Sequence, residues 1–322
     1  NTNSTYQWIN DNTDIGLNTT GSGSIPNFIA ENPTNQPIIA NITVTPIISS
    51  GSTTCEGTPR SFAITVNPSG DVNVPTDIFL CPGDVNPEII LSSANILGIN
   101  SFEWTNDNTT IGLPASGSDN IPSFTAVNSG IAPETATITI TPSYENNGLI
   151  CEGIPVTFNI SVNPSAQMDD PLDLILCEGI LGNDIVFTSQ NSNGSMTYTW
   201  TNDNTAIGLS ASGTGNITGF VPTNTTNQPI IATITVTPSF ENGGTPCLGA
   251  SQEFTITVNP NAQIDPINDL TVCPDDTIPE IVPTSQTFGG NISYSWTNDN
   301  TSIGLSANGN GNVPSFTATN NA

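Results

Sequence analysis

Apolar and polar residues alternate along this chain in short runs. Phe254, Ile256 and Val258 alternate with Thr255 and Thr257, a period of two that sets one face of a strand on a core and the other in water. The run from Ala232 to Thr237 does the same with Ile234 and Val236, and Tyr198 and Trp200 share one face across Thr199. Asn-Asp-Asn, Ser-Gly, Asn-Pro and Gly-Gly clusters separate the runs, as turns require. In the stretch 69–164 this pattern predicts strands near 77–81, 88–93, 101–105, 121–126, 136–142 and 156–163. A seventh short strand is expected between the third and the fourth. No apolar stretch approaches the ~18 residues of a membrane span, so direct membrane insertion is not expected.

The pattern recurs at a fixed step. Trp8, Trp104, Trp200 and Trp296 are spaced by 96 residues. Cys55, Cys151 and Cys247 keep that step, as do Cys81, Cys177 and Cys273, and the Asn-Pro pairs at 67, 163 and 259. A unit of this length is too long for a solenoid repeat and matches one β-sandwich domain. Cutting after each Asn-Pro gives complete units at 69–164 and 165–260. Residues 1–68 are then the C-terminal part of a unit and 261–322 the N-terminal part, so the chain reads as a window from a longer array. Strand order and spacing resemble an immunoglobulin-like sandwich, with Trp104 and Trp200 in the third strand, placed to fill the space between sheets. The expected fold is all-β: tandem Ig-like/PKD-like β-sandwich domains in a linear rod.

Composition narrows the chemistry. There are 28 Asp plus Glu, a single Lys or Arg, which is Arg60, and no His, for a net charge of −27. A nucleic-acid surface needs clustered cations, so no nucleic-acid partner is expected. Without His or Lys there is no imidazole base, no Ser-His or Cys-His pair and no Schiff base. Carboxylate chemistry of the glycosidase kind remains, but it needs two carboxylates ~5 to 9 Å apart beside a cleft, repeated in every unit. The chain is therefore read as no enzyme. A carbohydrate-binding array would need exposed aromatic rings, whereas the few aromatics here fall mostly on inward strand positions.

Two cysteines per unit point to disulfides and an oxidising, extracellular setting. Two pairings stay open for Cys55, Cys81, Cys151, Cys177, Cys247 and Cys273. One lies within a unit, Cys81 with Cys151 and Cys177 with Cys247. The other joins neighbouring units, Cys81 with Cys247. Bridged Cα atoms must approach within ~7 Å, while a sandwich nine residues tall spans ~30 Å.

The segment that varies least between copies runs from Trp104 to Leu113, with counterparts starting at Trp8, Trp200 and Trp296. Asp11, Asp107, Asp203 and Asp299, flanked by Asn, offer hard oxygen ligands suited to weak Ca²⁺ binding. The competing and favoured reading is an Asx turn leaving the third strand, with Gly taking a positive φ. No firm metal site and no other cofactor is expected. A second recurrent acid, Asp77, Asp173 and Asp269, precedes the first strand and is expected to cap or solvate it.

The succession Tyr-x-Trp-Thr-Asn-Asp-Asn-Thr-x-Ile-Gly-Leu, Ala-Thr-Ile-Thr-Val-Thr-Pro, Cys-x-Gly, Phe-Thr-Ile-Thr-Val-Asn-Pro and Cys-Pro-Gly-Asp resembles the PKD-like repeats of giant surface proteins in gliding Bacteroidota. The resemblance covers the whole chain. It implies a segment of a long filament, exported by type IX secretion to the cell surface and carried along it by the gliding motor. The implied partners are the extracellular substratum, polysaccharide or other cell-surface components, with motor and secretion machinery contacted through parts outside this window. The alternatives are a passive stalk or surface-layer spacer, and the carbohydrate-binding array.

Overall fold

The computed structural model describes residues 3–320. Among them the helical elements are short 3₁₀ turns, at Thr13–Ile15, Thr109–Ile111, Thr205–Ile207 and Thr301–Ile303; the ordered remainder is strand.

In the stretch 69–164 one sheet runs in the order Ile78–Leu80, Val156–Val162, Glu134–Asn146, Ile99–Asn106, Ser116–Ser118. The first pair is parallel, Ile78 opposite Ile160, and the others are antiparallel. The facing layer is thin: Val85–Asn86 pairs with Phe124–Thr125, and Ile89 bridges Ile121. Alternation sends Phe102 and Trp104, Ile138 and Ile140, and Phe158 and Ile160 onto Leu91, Ile121 and Phe124 of the facing layer. That is a two-layer β sandwich around one core. Residues 165–260 repeat it with Leu174–Cys177, Gln252–Asn259, Ile230–Asn242, Ser195–Asn202 and Ser212–Thr214.

Three details depart from the expected strands. The strand expected near 88–93 is reduced to Val85–Asn86 and a single bridge, because Pro87 has no N–H to give a ladder. The strand expected at 136–142 continues to Asn146. Pro142 is tolerated there because it sits where the partner on one side changes from Val156–Val162 to Leu149–Glu152. That last strand, absent from the sequence reading, forms a hairpin with Glu134–Asn146 through Asn147 and Gly148, both at positive φ (53° and 76°). Cys151 accordingly lies in a strand.

The chain divides into two compact units. One comprises 1–165, 192–194 and Glu241–Cys247; the other comprises 166–191, 195–240 and 248–322. The first holds two cores, around Trp8 and around Trp104, and the second holds the core around Trp200.

Candidate functional site

The invariant Trp-x-Asn-Asp-Asn segment is built for structure. Each Trp ring lies flat against a glycine of the short neighbouring strand: Trp8 on Gly21, Trp104 on Gly117, Trp200 on Gly213 and Trp296 on Gly309, with no room for a Cβ. Trp8, Trp104 and Trp200 are buried, while Trp296 is half-buried. The indole N–H groups of the buried three have no acceptor, so packing alone holds those rings. Two residues on, Asn106 is buried and donates its side-chain N–H to the Leu113 carbonyl (2.9 Å), while its Oδ1 accepts the Asn108 amide (3.0 Å). Asn10, Asn202 and Asn298 repeat both bonds. Asn108 then caps the 3₁₀ turn, and Gly112 ends it at φ 98° with its open side against the Thr125 carbonyl.

The aspartates of this segment are engaged with backbone. Oδ1 of Asp107 accepts the Thr137 amide at 2.7 Å, and Asp203 accepts that of Thr233 at 2.7 Å. Asp11 accepts both the amide and the side-chain N–H of Asn41 (2.7 and 2.9 Å). Those bonds, the Asn41 side chain first, hold its carboxyl below the ordinary carboxylate range. For Asp299 the counterpart of Thr137 falls beyond the described residues. The carboxylates of Asp11, Asp107 and Asp203 thus fasten the turn to the strand beside it, 30 residues along the chain. The second acidic series acts similarly: Asp77 accepts the Asn159 amide (2.8 Å) and Asp173 that of Thr255 (2.7 Å), tying the start of the first strand to the last. The Thr255 backbone bond, then its side chain, lowers the Asp173 carboxyl as well. Among the described residues, no three His, Cys, Asp or Glu side chains gather as a metal would require.

The cysteines define a different kind of site. Cys81 and Cys247 form a disulfide, with Cα atoms 5.4 Å apart and a sequence separation of 166. Pairing within a unit fails on distance. Leu80 lies opposite Val162, and Val162 opposite Glu134, at one end of the long strand; Cys151 lies opposite Tyr144 near the other end. Ten residues at ~3.3 Å each separate those ends by ~33 Å, several times the ~7 Å a bridge allows.

Local structure presents both sulfurs. The Cys81-Pro-Gly-Asp84 turn closes with the Cys81 amide on the Asp84 carboxylate (2.8 Å) and the Asp84 amide on the Cys81 carbonyl (3.1 Å), with Gly83 at φ 89°. Cys247 lies in the strand Thr245–Leu248, after a turn through Gly243 and Gly244, at φ 63° and 77°. Phe79 packs so closely on Gly243 that no side chain fits there. Beside it, the Asn163 side chain donates to the Asn242 and Thr245 carbonyls (3.0 and 3.1 Å) and accepts from the Asn242 amide group (3.2 Å). All of these residues fall in the first unit. One repeat earlier, Asn67 and Asn146 form the same amide pair (2.9 Å). The Asn-Pro dipeptide is therefore more than a strand terminator, because its Asn grips the hairpin tip of the following copy. Cys55, Cys177 and Cys273 are exposed and Cys151 is half-buried, and none is bridged.

No protein-family model and no curated protein sequence matches the chain. Among solved structures it is similar to three N-terminal domains of the bacteriophage RB49 outer capsid protein Hoc, at 11% identity and TM-score 0.39, covering 80% of this chain and 88% of that one. It is similar to mouse cadherin-23 EC22-24, at 12% identity and TM-score 0.32, covering 80% and 86%. It is also similar to Drosophila N-cadherin EC1-4, at 12% identity and TM-score 0.28, covering 98% and 85%. Likeness at these values carries no inference about binding or activity.

Proposed function

We propose that this chain is a structural and adhesive segment of a long extracellular repeat filament, of the kind that gliding Bacteroidota display on their surface to grip a substratum. The observation that carries the reading is the Cys81–Cys247 bridge, which joins one 96-residue copy to the next. A disulfide between copies serves a molecule that must transmit tension, and it persists in an oxidising medium. The net charge of −27 gives every copy the same sign and opposes lateral collapse. Type IX export, transport by the gliding motor and contact with polysaccharide or other surface components belong to this proposal. Ca²⁺ enters it only as weak, charge-driven association, since the carboxylates of the turn already accept backbone amides.

The test is single-cell imaging of the fluorescently labelled protein on live cells. Directed travel of the label along the surface, with loss of substratum attachment when the repeats are deleted, is the expected result. A stationary label would reject the gliding role and leave a passive spacer.

A further inference from the structure

The two complete copies differ on one flank of the sandwich. In 69–164 the thin facing layer carries the ladder of Val85–Asn86 with Phe124–Thr125, and Asn86 and Phe124 are both buried. In 165–260 Gly182 stands at the position of Asn86, and among the described residues 181–182 and 220–221 form no strand. The Gly182 amide still reaches the Phe220 carbonyl (2.9 Å), but the Phe220 ring is only half-buried. A slot of about 370 Å³ opens there, lined by Leu172, Leu174, Leu176, Val186 and Phe220, a size at which pockets begin to hold ligands. Its rim is apolar and wet: Leu172 is 82% exposed and Val186 61%. A Cβ on Gly182 would stand 3.8 Å from a Leu176 methyl carbon and 3.5 Å from the Phe220 carbonyl oxygen, so a side chain at this position would both fit and fill the slot.

The slot runs beside an unused sheet edge. Leu174–Cys177 is the outermost strand of its sheet and pairs only with Gln252–Asn259. Ile78–Leu80 holds the same outer place in 69–164, where the hairpin of the following copy packs on Phe79, so a free edge belongs to a copy whose neighbour is in place. The strand carries none of the charges or prolines that guard an exposed edge. A segment pairing along it sends alternate side chains toward the facing layer, and there they meet the slot. Asp170 and Asp184 also line the opening, both exposed, with one Asp184 oxygen accepting the Gly219 amide (2.6 Å). A second copy of the chain, with a net charge of −27 and Arg60 as its one cation, would bring carboxylates against carboxylates. The complement of this surface is apolar and basic.

We propose that the slot takes an extended basic segment of another protein, which pairs along Leu174–Cys177, seats an apolar side chain on Leu176 and Phe220, and sets Lys or Arg against Asp170 and Asp184. The partner distinguishes near-identical copies by one residue, Gly182 against Asn86. The inference stands on the slot, its edge and its charge, and holds whether or not the filament travels on a gliding cell.

The test is fluorescence anisotropy of a short dye-labelled peptide that alternates leucine with lysine, titrated with the full chain. Saturable binding is expected, and it should vanish when glutamate replaces lysine or when the peptide backbone is N-methylated and cannot pair with an edge. Gly182→Asn, which installs the residue of the other copy, should weaken binding at least about tenfold. Leu172→Thr, which installs Thr76 at an exposed position where folding is unaffected, should weaken it about threefold. Asp170→Lys should weaken it at low salt, while Glu103→Lys, an equal change of net charge on the other copy, leaves it unaltered. Absence of saturable binding at millimolar concentration, an N-methylated peptide that binds as well, equal losses in Asp170→Lys and Glu103→Lys, or undiminished affinity in Leu172→Thr or in a folded Gly182→Asn would each overturn the proposal.

Discussion

Pulling the chain from its two ends sets a quantitative test of the Cys81–Cys247 bridge. In the reduced chain every residue contributes to the length released on complete unfolding. In the oxidised chain tension passes from Cys81 directly to Cys247, and the 166 residues of that loop are bypassed. At ~3.6 Å per residue the bridge withholds about 600 Å of contour, roughly half of what the reduced chain releases. The core around Trp104 lies inside the loop except for Val72, and the core around Trp200 lies inside it except for Phe254, Ile256 and Val258 of its last strand; the core around Trp8 lies outside. Single-molecule force spectroscopy on terminally tethered protein, with and without reductant, reads the difference directly. The C81S variant should show the long extension under both conditions. Equal extension of the parent with and without reductant would refute the reasoning, as would a C81S variant that matches the oxidised parent. On the chain-entropy account, closing a loop of 166 residues also stabilises the fold by about 5 kcal/mol, so reduction should lower the thermal midpoint too.

Three further outcomes are expected. Asn106→Ala should destabilise its sandwich by about 1 to 3 kcal/mol in urea unfolding, since the buried bond to the Leu113 carbonyl and the half-buried one from the Asn108 amide are both lost; a loss under 0.5 kcal/mol would contradict the bonding described. Asp173 has a folded-state pKa below its unfolded value, so its stabilising contribution is complete above the unfolded pKa of ~3.9 and disappears as pH falls through the lower folded value. Asp173→Asn should therefore flatten the acid limb of the thermal midpoint below pH ~4, and an unchanged limb would discount the Thr255 bonds. Trypsin should cut only after Arg60, and slowly, because Arg60 pairs with Val44 in a ladder and Ser61 shares a hydroxyl bond with Thr43 (2.9 Å); rapid cleavage in native buffer, followed by gel electrophoresis, would show that strand to be frayed.

How much of this was legible beforehand depended on the range of the interaction. Alternation placed Ile99–Asn106 and Val156–Val162 closely, because the residues that bury themselves in one strand are spaced two apart. The Asn147-Gly148 pair is a strong hairpin signal, but Pro142 masked it by suggesting that the strand had ended. Only the partner's change of identity at that point explains why Pro142 is accommodated. Gly112 and the Asx turn were readable from local chemistry. The Asp107 bond to Thr137 was not, because nothing local marks an amide 30 residues away as the acceptor's partner. The same holds for the grip of Asn163 on Asn242, separated by 79 residues, which looked like a plain strand end. For the cysteines, the sequence left two pairings open, and the height of the sandwich decides between them.

A bridge that reaches 166 residues along a chain repeating every 96 spans further than one repeat. If each copy carries such a link, successive covalent rings overlap as the plies of a spliced rope do, and every peptide bond along the splice is enclosed by at least one of them. A nick by a protease or by mechanical wear then opens a ring without parting the strand. In the extracellular filament proposed above, where broken backbone cannot be resynthesised in place, that would be damage tolerance written into the spacing of two cysteines.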